Sequence, residues 1–190
     1  MKNKKVNVVV EGIKMNLPAE SILYRNDGVT PYIYAGRVIA GSIVKQFVKA
    51  KYPNVVCTTK SASFANGNSL DVYVSNPNGS EVDEVIYSDI NRFANIFQYG
   101  KFNGMTDMYE GYSNTCSETE QGTPLEAGVK YVMVSNKPTF GSVGDCVRML
   151  RDMTDGKYVW GVISMEKAIE KVLNYKVSQS NIDKALIYLK

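Results

Sequence analysis

The stretch TTKSASFANGNSLDVYVS, Thr58 to Ser75, gathers polar side chains beside an Asn-Gly-Asn turn. The side chains that can donate hydrogen bonds are Lys60, Ser61, Ser63 and Asn66, with Phe64 among them. Such a set can bind a phosphate backbone while the aromatic ring stacks on a base. A nucleotide-cradling loop needs several glycines directly before a helix, and this stretch has Gly67 alone. The residues therefore predict either a binding edge or a plain solvated hairpin tip.

Carboxylates form a second group with possible chemistry. Asp107 and Glu110 lie three residues apart, and Asp71 is a possible third member. Two or more carboxylates are what a Mg²⁺ site requires, and such a site would serve a phosphodiesterase or nuclease. A solvated turn accounts for the same residues and is the interpretation we favour. We therefore predict no catalytic residue, no metal ligand and no cofactor.

The chain contains no histidine, which excludes several classes of enzyme. Ser-His-Asp and Cys-His catalysis, a histidine general base and histidine-ligated zinc all need an imidazole. The three cysteines, Cys57, Cys116 and Cys146, are odd in number and far apart. They form no Cys-x-x-Cys zinc pattern and no disulfide framework, so the sequence predicts three free thiols.

Charge is distributed unevenly along the chain although the net charge is only +3. Residues 1–60 carry ten Lys or Arg against three Asp or Glu, whereas residues 61–126 carry two against ten. Residues 127–190 carry ten against six. Such segregation predicts opposed surface patches, one of them suited to an anionic partner. The alternative, that the patches interleave and neutralise each other on folding, stays open.

A helix followed by a hairpin positions the first polar group. Apolar residues recur at helical spacing from Gly36 to Lys51, and Pro53 ends this pattern. Period-two alternation on both sides of the Asn-Gly-Asn tip then predicts a β-hairpin. The predicted helix contributes Arg37, Lys45, Lys49 and Lys51, which together with Lys60, Ser61, Ser63, Phe64 and Asn66 form our candidate surface for a partner or nucleic acid.

Further elements follow on both sides of this core. Two strands around Glu11-Gly12, and turn residues before a strand at 32–34, precede it. A second helix is predicted from an N-cap at Ser80 to Gly100, with Glu81, Asp83 and Glu84 in its first turn. Beyond a loop at 106–128 we predict strands at 129–135 and 158–164 and helices at 145–153, after Ser164, and from a capping box at Ser180 and Asp183.

This order predicts an α+β fold with an antiparallel sheet, helices packed on one face, and a smaller C-terminal α/β lobe. The predicted domains are residues 1–112, a loop or linker at 113–128, and a lobe at 129–190. The chain has no run of about 20 apolar residues, and its basic start lacks a signal-peptide core. We therefore expect a cytoplasmic protein.

The middle of the chain resembles the large polyvalent protein-associated domain family 29. The likeness covers residues 35–112 and rests on an ordered set of motifs, with Ala62 standing where that family has a second serine. The matching positions are Tyr52-Pro53, Lys60 to Phe64, Gly67, Ser69 to Tyr73, and Phe102 to Asp107.

The resemblance implies a context more than an activity, because such domains occur in proteins of phages and conjugative elements. It implies a protein of the host cytoplasm similar to mobile-element counter-defence factors, which act by binding a host defence protein or its guide RNA. The leading interpretation is therefore non-catalytic, anti-CRISPR-like inhibition of a nuclease effector. The rivals are a metal-dependent phosphodiesterase or nuclease on Asp71, Asp107 and Glu110, and a minor virion or ejected protein. The oligomeric state is left open.

Overall fold

The computed structural model describes residues 5–103, 108–111, 115–157 and 161–189, with the backbone alone described at 101–103 and 108–111. The chain divides into two compact units. Unit 1 comprises Met1–Pro53, Thr59–Val72 and Val85–Ser135, and unit 2 comprises Asn54–Thr58, Tyr73–Glu84 and Asn136–Lys190. Both units are discontinuous in sequence, and the division into residues 1–112, 113–128 and 129–190 stays a prediction.

The described residues form eleven strands and five α-helices. The strands are β1 (Lys5–Val10), β2 (Ile13–Pro18), β3 (Ile22–Tyr24), β4 (Pro31–Gly36), β5 (Val56–Phe64), β6 (Gly67–Ser75), β7 (Gly100–Asn103), β8 (Met108–Gly111), β9 (Thr115–Glu118), β10 (Pro124–Gly128) and β11 (Tyr131–Ser135). The helices are α1 (Arg37–Lys51), α2 (Glu84–Asn95), α3 (Val143–Thr154), α4 (Met165–Asn174) and α5 (Gln179–Ile187). The predicted α+β composition is thus confirmed. No helix in the described ranges is long and apolar enough to cross a membrane.

The sheets are smaller and more mixed than the single antiparallel sheet that we predicted. β1 pairs with β2, and β7 with β8. A four-stranded sheet has the order β3-β4-β10-β9, and a three-stranded sheet has the order β11-β6-β5. β10 runs parallel to β4, so the expectation of a purely antiparallel arrangement is wrong. The parallel pairing is possible because the whole α1 and β5–β6 segment intervenes between the two strands in sequence.

The predicted loop at 113–128 is wrong where β9 and β10 lie. Leu125 and Ala127 are buried in β10, which is an interior strand of its sheet. Glu126 is also buried, and its carboxylate accepts a hydrogen bond from the Arg25 guanidinium. A buried carboxylate requires such a partner. The segment looked like a loop because it is acidic, but the charge of Glu126 is neutralised by Arg25, which is far away in the chain.

The core of unit 1 is built by buried side chains of α1, α2 and several strands, among them β2, β4, β6 and β10. Leu70 and Val72 of β6 are fully buried, and Gly41 of α1 approaches Leu70 so closely that an added Cβ would lie 3.1 Å from its Cδ1 atom. Phe47 of α1 stacks on Phe93 of α2 with ring centroids 3.8 Å apart. The predicted amphipathic helix is confirmed, and its apolar face buries against these partners.

Helix α2 begins at Glu84, three residues after the predicted first helical residue Glu81, and ends at Asn95, before the predicted end at Gly100. Ser80 is not an N-cap because its hydroxyl donates to Asn78 Oδ1 and its carbonyl accepts from the Asn76 amide. The Val82 amide and carbonyl are held by the side chain of Asn136. These bonds satisfy the backbone of residues 80–82 outside a helix.

Unit 2 contains a three-helix core made by α3, α4 and α5. Serine side chains cap all three helices, and Ser164 is the N-cap that we predicted for α4. The cap of α5 is Ser178, whose hydroxyl accepts from the Asn181 amide, and not Ser180. Residues 161–164 of the predicted 158–164 strand are not a strand, because the Ile163 amide donates to the Met153 carbonyl at the end of α3; residues 158–160 lie outside the described ranges. The described part of residues 136–190 is thus helical, and of the two strands predicted within the lobe at 129–190 only the first is found among the described residues, as β11.

Candidate binding surface

The tip of the β5–β6 hairpin is built around Gly67. Its φ is +154°, and an added Cβ would lie 2.5 Å from Cδ of Lys130 and 3.4 Å from the Phe64 ring. This position thus requires glycine. The space lets the Lys130 Nζ atom donate to the Asn66 carbonyl at 2.7 Å. Phe64 and Tyr131 stack with centroids 6.0 Å apart, and Lys130 Nζ lies 5.4 Å from the Tyr131 centroid.

These four residues, Phe64, Asn66, Lys130 and Tyr131, are called the hairpin-tip cluster. The Phe64 ring is held on one side by Tyr131 and remains 46% exposed. An aromatic ring that is fixed and still accessible, next to a lysine, is a stacking platform for a base or for another planar group. Sequence reasoning missed Lys130 and Tyr131. The strand at 129–135 was recognisable, but nothing in its pattern showed that it pairs with β6.

β5 is an edge strand that divides the predicted binding residues between two faces. In the described part of the chain only β6 pairs with it. Because side chains alternate along a strand, Lys60 and Phe64 lie on one face and Ser61 and Ser63 on the other. The second face is the side of α1, since the Thr59 hydroxyl lies 3.2 Å from a Cβ added to Gly41. Residues 60–64 are all exposed, so either face of this segment is accessible.

Helix α1 places its predicted basic residues in different environments. Lys45 and Lys49 are exposed one turn apart, on the same side as Val38, which is 66% exposed. They form no ion pair with any residue that the structure describes. Arg37, at the first helical position, is half-buried. Lys45 and Lys49 are therefore the two cations of α1 that are accessible to an external anion.

Lys51 is exposed, but its charge is already paired within a network of hydrogen bonds. Its Nζ atom donates to Asp89 Oδ2 at 2.8 Å, and the Tyr52 hydroxyl donates to the same oxygen at 2.8 Å. Arg92 donates to Asp89 and makes a two-pronged contact with Glu11. The hydrogen bond to Asp89 raises the pKa of Lys51. This network ties the β1–β2 turn, the end of α1 and helix α2 together.

Asp89 makes this network sensitive to acid. Burial acts to raise its pKa, but hydrogen bonds from Lys51, Tyr52 and Arg92 outweigh burial and the net pKa is lowered. Since the folded pKa lies below the unfolded one, the stabilisation is present above about pH 4 and is lost as pH falls through the folded value. We expect Asp89→Asn to lower the free energy of unfolding by about 1–2 kcal/mol at pH 7 and by less at pH 3.

Urea unfolding at the two pH values measures this effect. The matched control is Glu20→Gln, which removes an exposed carboxylate of the same unit and should change stability little at either pH. An equal loss for Asp89→Asn at pH 7 and pH 3 would contradict the titration of Asp89 as its cause.

Ion pairs between distant parts of the sequence decide whether the charged segments stay separate. Arg25 pairs with Glu126 and Lys51 with Asp89, so cations of the basic first third neutralise anions of the acidic middle. The charge segregation in sequence is thus partly cancelled by folding, at these residues. Lys45 and Lys49 form no ion pair with a described residue, so they keep a local excess of positive charge.

The carboxylate site stays a prediction. Asp71 is half-buried on β6, Asp107 lies outside the described residues, and only the backbone of Glu110 is described, in β8. Among the residues with described side chains, no group of three or more histidine, cysteine, aspartate or glutamate residues has metal-binding geometry.

The chain matches no protein-family model, no curated protein and no solved structure at a significant level. The likeness to the polyvalent-protein domain therefore rests on its motifs alone and stays a prediction. The structure places four of those motifs at the end of α1, along β5, at the hairpin tip and along β6. Of the fifth, Phe102 to Asp107, residues 104–107 lie outside the described ranges.

Proposed function

We propose that this chain is a non-catalytic binding protein of a phage or mobile element that inhibits a host defence system. It would occupy a nuclease effector or its RNA, in the manner of an anti-CRISPR factor. The observation that supports binding is the exposed end of edge strand β5, from Lys60 to Phe64, in the same unit as the accessible cations Lys45 and Lys49. The mobile-element context comes from the motif resemblance.

RNA is the partner component that this surface fits best. Lysines neutralise phosphates and release counterions, while the fixed ring of Phe64 offers a face for a base. Ser61 and Ser63 supply hydroxyl donors for phosphate or sugar oxygens on the face that lies toward α1. The contacts are to the backbone and to base faces, so this mode of binding depends little on sequence. Covering a guide RNA in this way would block pairing with its target.

Charge reversal on α1 tests the surface. We expect Lys45→Glu with Lys49→Glu to weaken binding to a labelled single-stranded RNA and to reduce the salt slope of log K by about two. Fluorescence anisotropy at several salt concentrations measures both quantities. The matched control is Lys5→Glu with Lys14→Glu, which makes the same change of charge on β1 and β2 at exposed positions. An equal loss in both double variants would show that net charge, and not this surface, governs binding.

Inhibition itself is tested in bacteria that carry an active RNA-guided nuclease. Expression of the wild-type chain should protect a targeted plasmid, and the Lys45→Glu, Lys49→Glu variant should protect it less than the control double variant. Protection that survives the α1 reversal and persists without RNA binding would assign the contact to the protein effector through another surface. Absence of protection against every nuclease type tried, with RNA binding intact, would overturn the inhibitory role and leave a nucleic-acid-binding protein.

A further inference from the structure

Unit 2 contains a cavity that the proposed function does not use. Its volume is about 520 Å³, and every residue that lines it belongs to unit 2. Apolar side chains make most of the wall, among them Val56, Tyr73, Pro138, Val143 and Ile187. A concave, mostly apolar cavity of several hundred cubic ångströms is typical of sites that bind small molecules.

The charge of the lining selects the ligand. Lys184 is the one charged residue among the described lining residues, and no aspartate or glutamate lies among them. Lys184 is exposed at the cavity and forms no ion pair with any described residue. The first residues of α3, Val143 and Gly144, also line the cavity, but the buried carboxylate of Asp145 in the same turn offsets the positive end of this helix. The preference for an anionic group in an apolar setting therefore rests on Lys184.

Ser75 adds a polar atom to the wall of the cavity. The residue is 2% exposed and lines the cavity, and its hydroxyl has no hydrogen-bond partner among the described residues. Every fully buried side-chain oxygen or nitrogen in those residues is satisfied, so the Ser75 hydroxyl keeps its small access through the cavity. A buried hydroxyl without a protein partner is costly unless water or a ligand bonds to it.

Helix α5 contributes several polar residues to one side of the cavity. Asn181, Lys184 and Tyr188 recur at spacings of three and four, so they lie on one side of the helix, with Ile187 beside them. The Asn181 side chain donates to the Gly141 carbonyl at 2.9 Å and fixes this side of α5 against the turn before α3. The hydroxyls of two further lining residues, Thr58 and Thr139, are hydrogen-bonded and join β5 to the same turn.

We infer that this cavity is a binding site for a small aromatic acid, a planar apolar body that carries one carboxylate, sulfonate or phosphate group. The body lies against Val56, Tyr73 and Ile187, the anionic group meets Lys184, and a further polar atom bonds to Ser75. This site is separate from the α1 and β5 surface and does not depend on the proposed function. Lys184 determines the preference for an anion.

A pair of fluorescent probes with the same rings tests this inference. 8-Anilinonaphthalene-1-sulfonate carries the anion, and N-phenyl-1-naphthylamine lacks it. The wild-type chain should bind one sulfonate probe saturably. Lys184→Ala should weaken the sulfonate probe about three- to tenfold, as expected for one exposed charge-assisted contact, and should change the neutral probe less than about twofold. Lys167→Ala, at an exposed lysine of α4 away from the cavity, should alter neither affinity.

A second variant keeps the inference testable if Lys184→Ala disturbs the helix. Ile187 is 70% exposed, so Ile187→Asp adds a carboxylate at the cavity mouth without disturbing the core, and it should weaken the sulfonate probe more than the neutral one. Val162→Asp, at a position 74% exposed outside the lining, is its control. Three results would overturn the assignment to a small acid. They are equal losses of affinity for both probes, binding that does not saturate, and release of the probe when the protein dimerises, as followed by sedimentation.

Discussion

Replacing Phe93 by alanine is expected to lower the free energy of unfolding of unit 1 by about 3–5 kcal/mol. The Phe93 side chain is fully buried, stacks on Phe47 at 3.8 Å and meets the edge of Phe97 with centroids 5.7 Å apart. The alanine would remove both ring contacts and leave a cavity that helices α1 and α2 cannot close without losing their register. Urea unfolding followed by circular dichroism measures the change.

Two controls separate packing from helix propensity. Val85→Ala, in the same helix at a position 77% exposed, should change the free energy of unfolding by less than about 0.5 kcal/mol. Phe93→Leu keeps much of the volume and should cost clearly less than the alanine. A cost for Phe93→Ala close to that for Val85→Ala would show that the aromatic cluster does not hold the two helices together.

This aromatic cluster also shows which features a sequence makes predictable. The apolar repeat from Gly36 to Lys51 predicted the helix that contains Phe47, and the second helix predicted from Ser80 to Gly100 contains Phe93 and Phe97. Local hydrogen bonding fixed the Ser164 cap in the same way. Such features depend on residues within one or two turns, so the composition of a short window contains the information needed.

Features that depend on distant partners were not predictable. Glu126 is an interior strand residue only because Arg25, 101 positions away, neutralises it. The sequence shows Lys51 only as a cation on the polar side of a helix, and it does not show that this lysine pairs with Asp89, 38 positions away. The hairpin tip needs Lys130 and Tyr131 from a strand whose pairing has no local signal. The period-two alternation of the predicted strand already implied one feature that our candidate surface ignored. Residues 60 and 64 lie on one face of the strand, and residues 61 and 63 lie on the other.

The cavity of unit 2 was also not predictable from the sequence, because its lining residues come from distant parts of the chain. Its wall combines the ends of β5 and β6 with the turn before α3 and one side of α5. Only the stripe of α5 residues has a sequence signature, and exposed stripes of this kind occur on many short surface helices that bind nothing. Gly79 and Gly144 let the turn after β6 pack directly against the start of α3, and Gly144 lines the cavity, so this part of its wall depends on two small residues 65 positions apart.

Replacing Gly79 by alanine should therefore destabilise unit 2 by about 3 kcal/mol or more, because two costs combine. The residue has a φ of +80°, which alone costs an L-residue about 1–2 kcal/mol. An added Cβ would also lie 2.0 Å from the Gly144 carbonyl oxygen, a backbone atom that cannot move aside as a side chain can. Gly141→Ala is the matched control in the same unit, with a φ of +74° and its nearest neighbour 3.9 Å from the added Cβ, so it carries the conformational cost without the clash. Thermal unfolding of the two variants compares these costs, and equal shifts would show that the turn moves away from α3 and that the glycine contact does not shape the cavity.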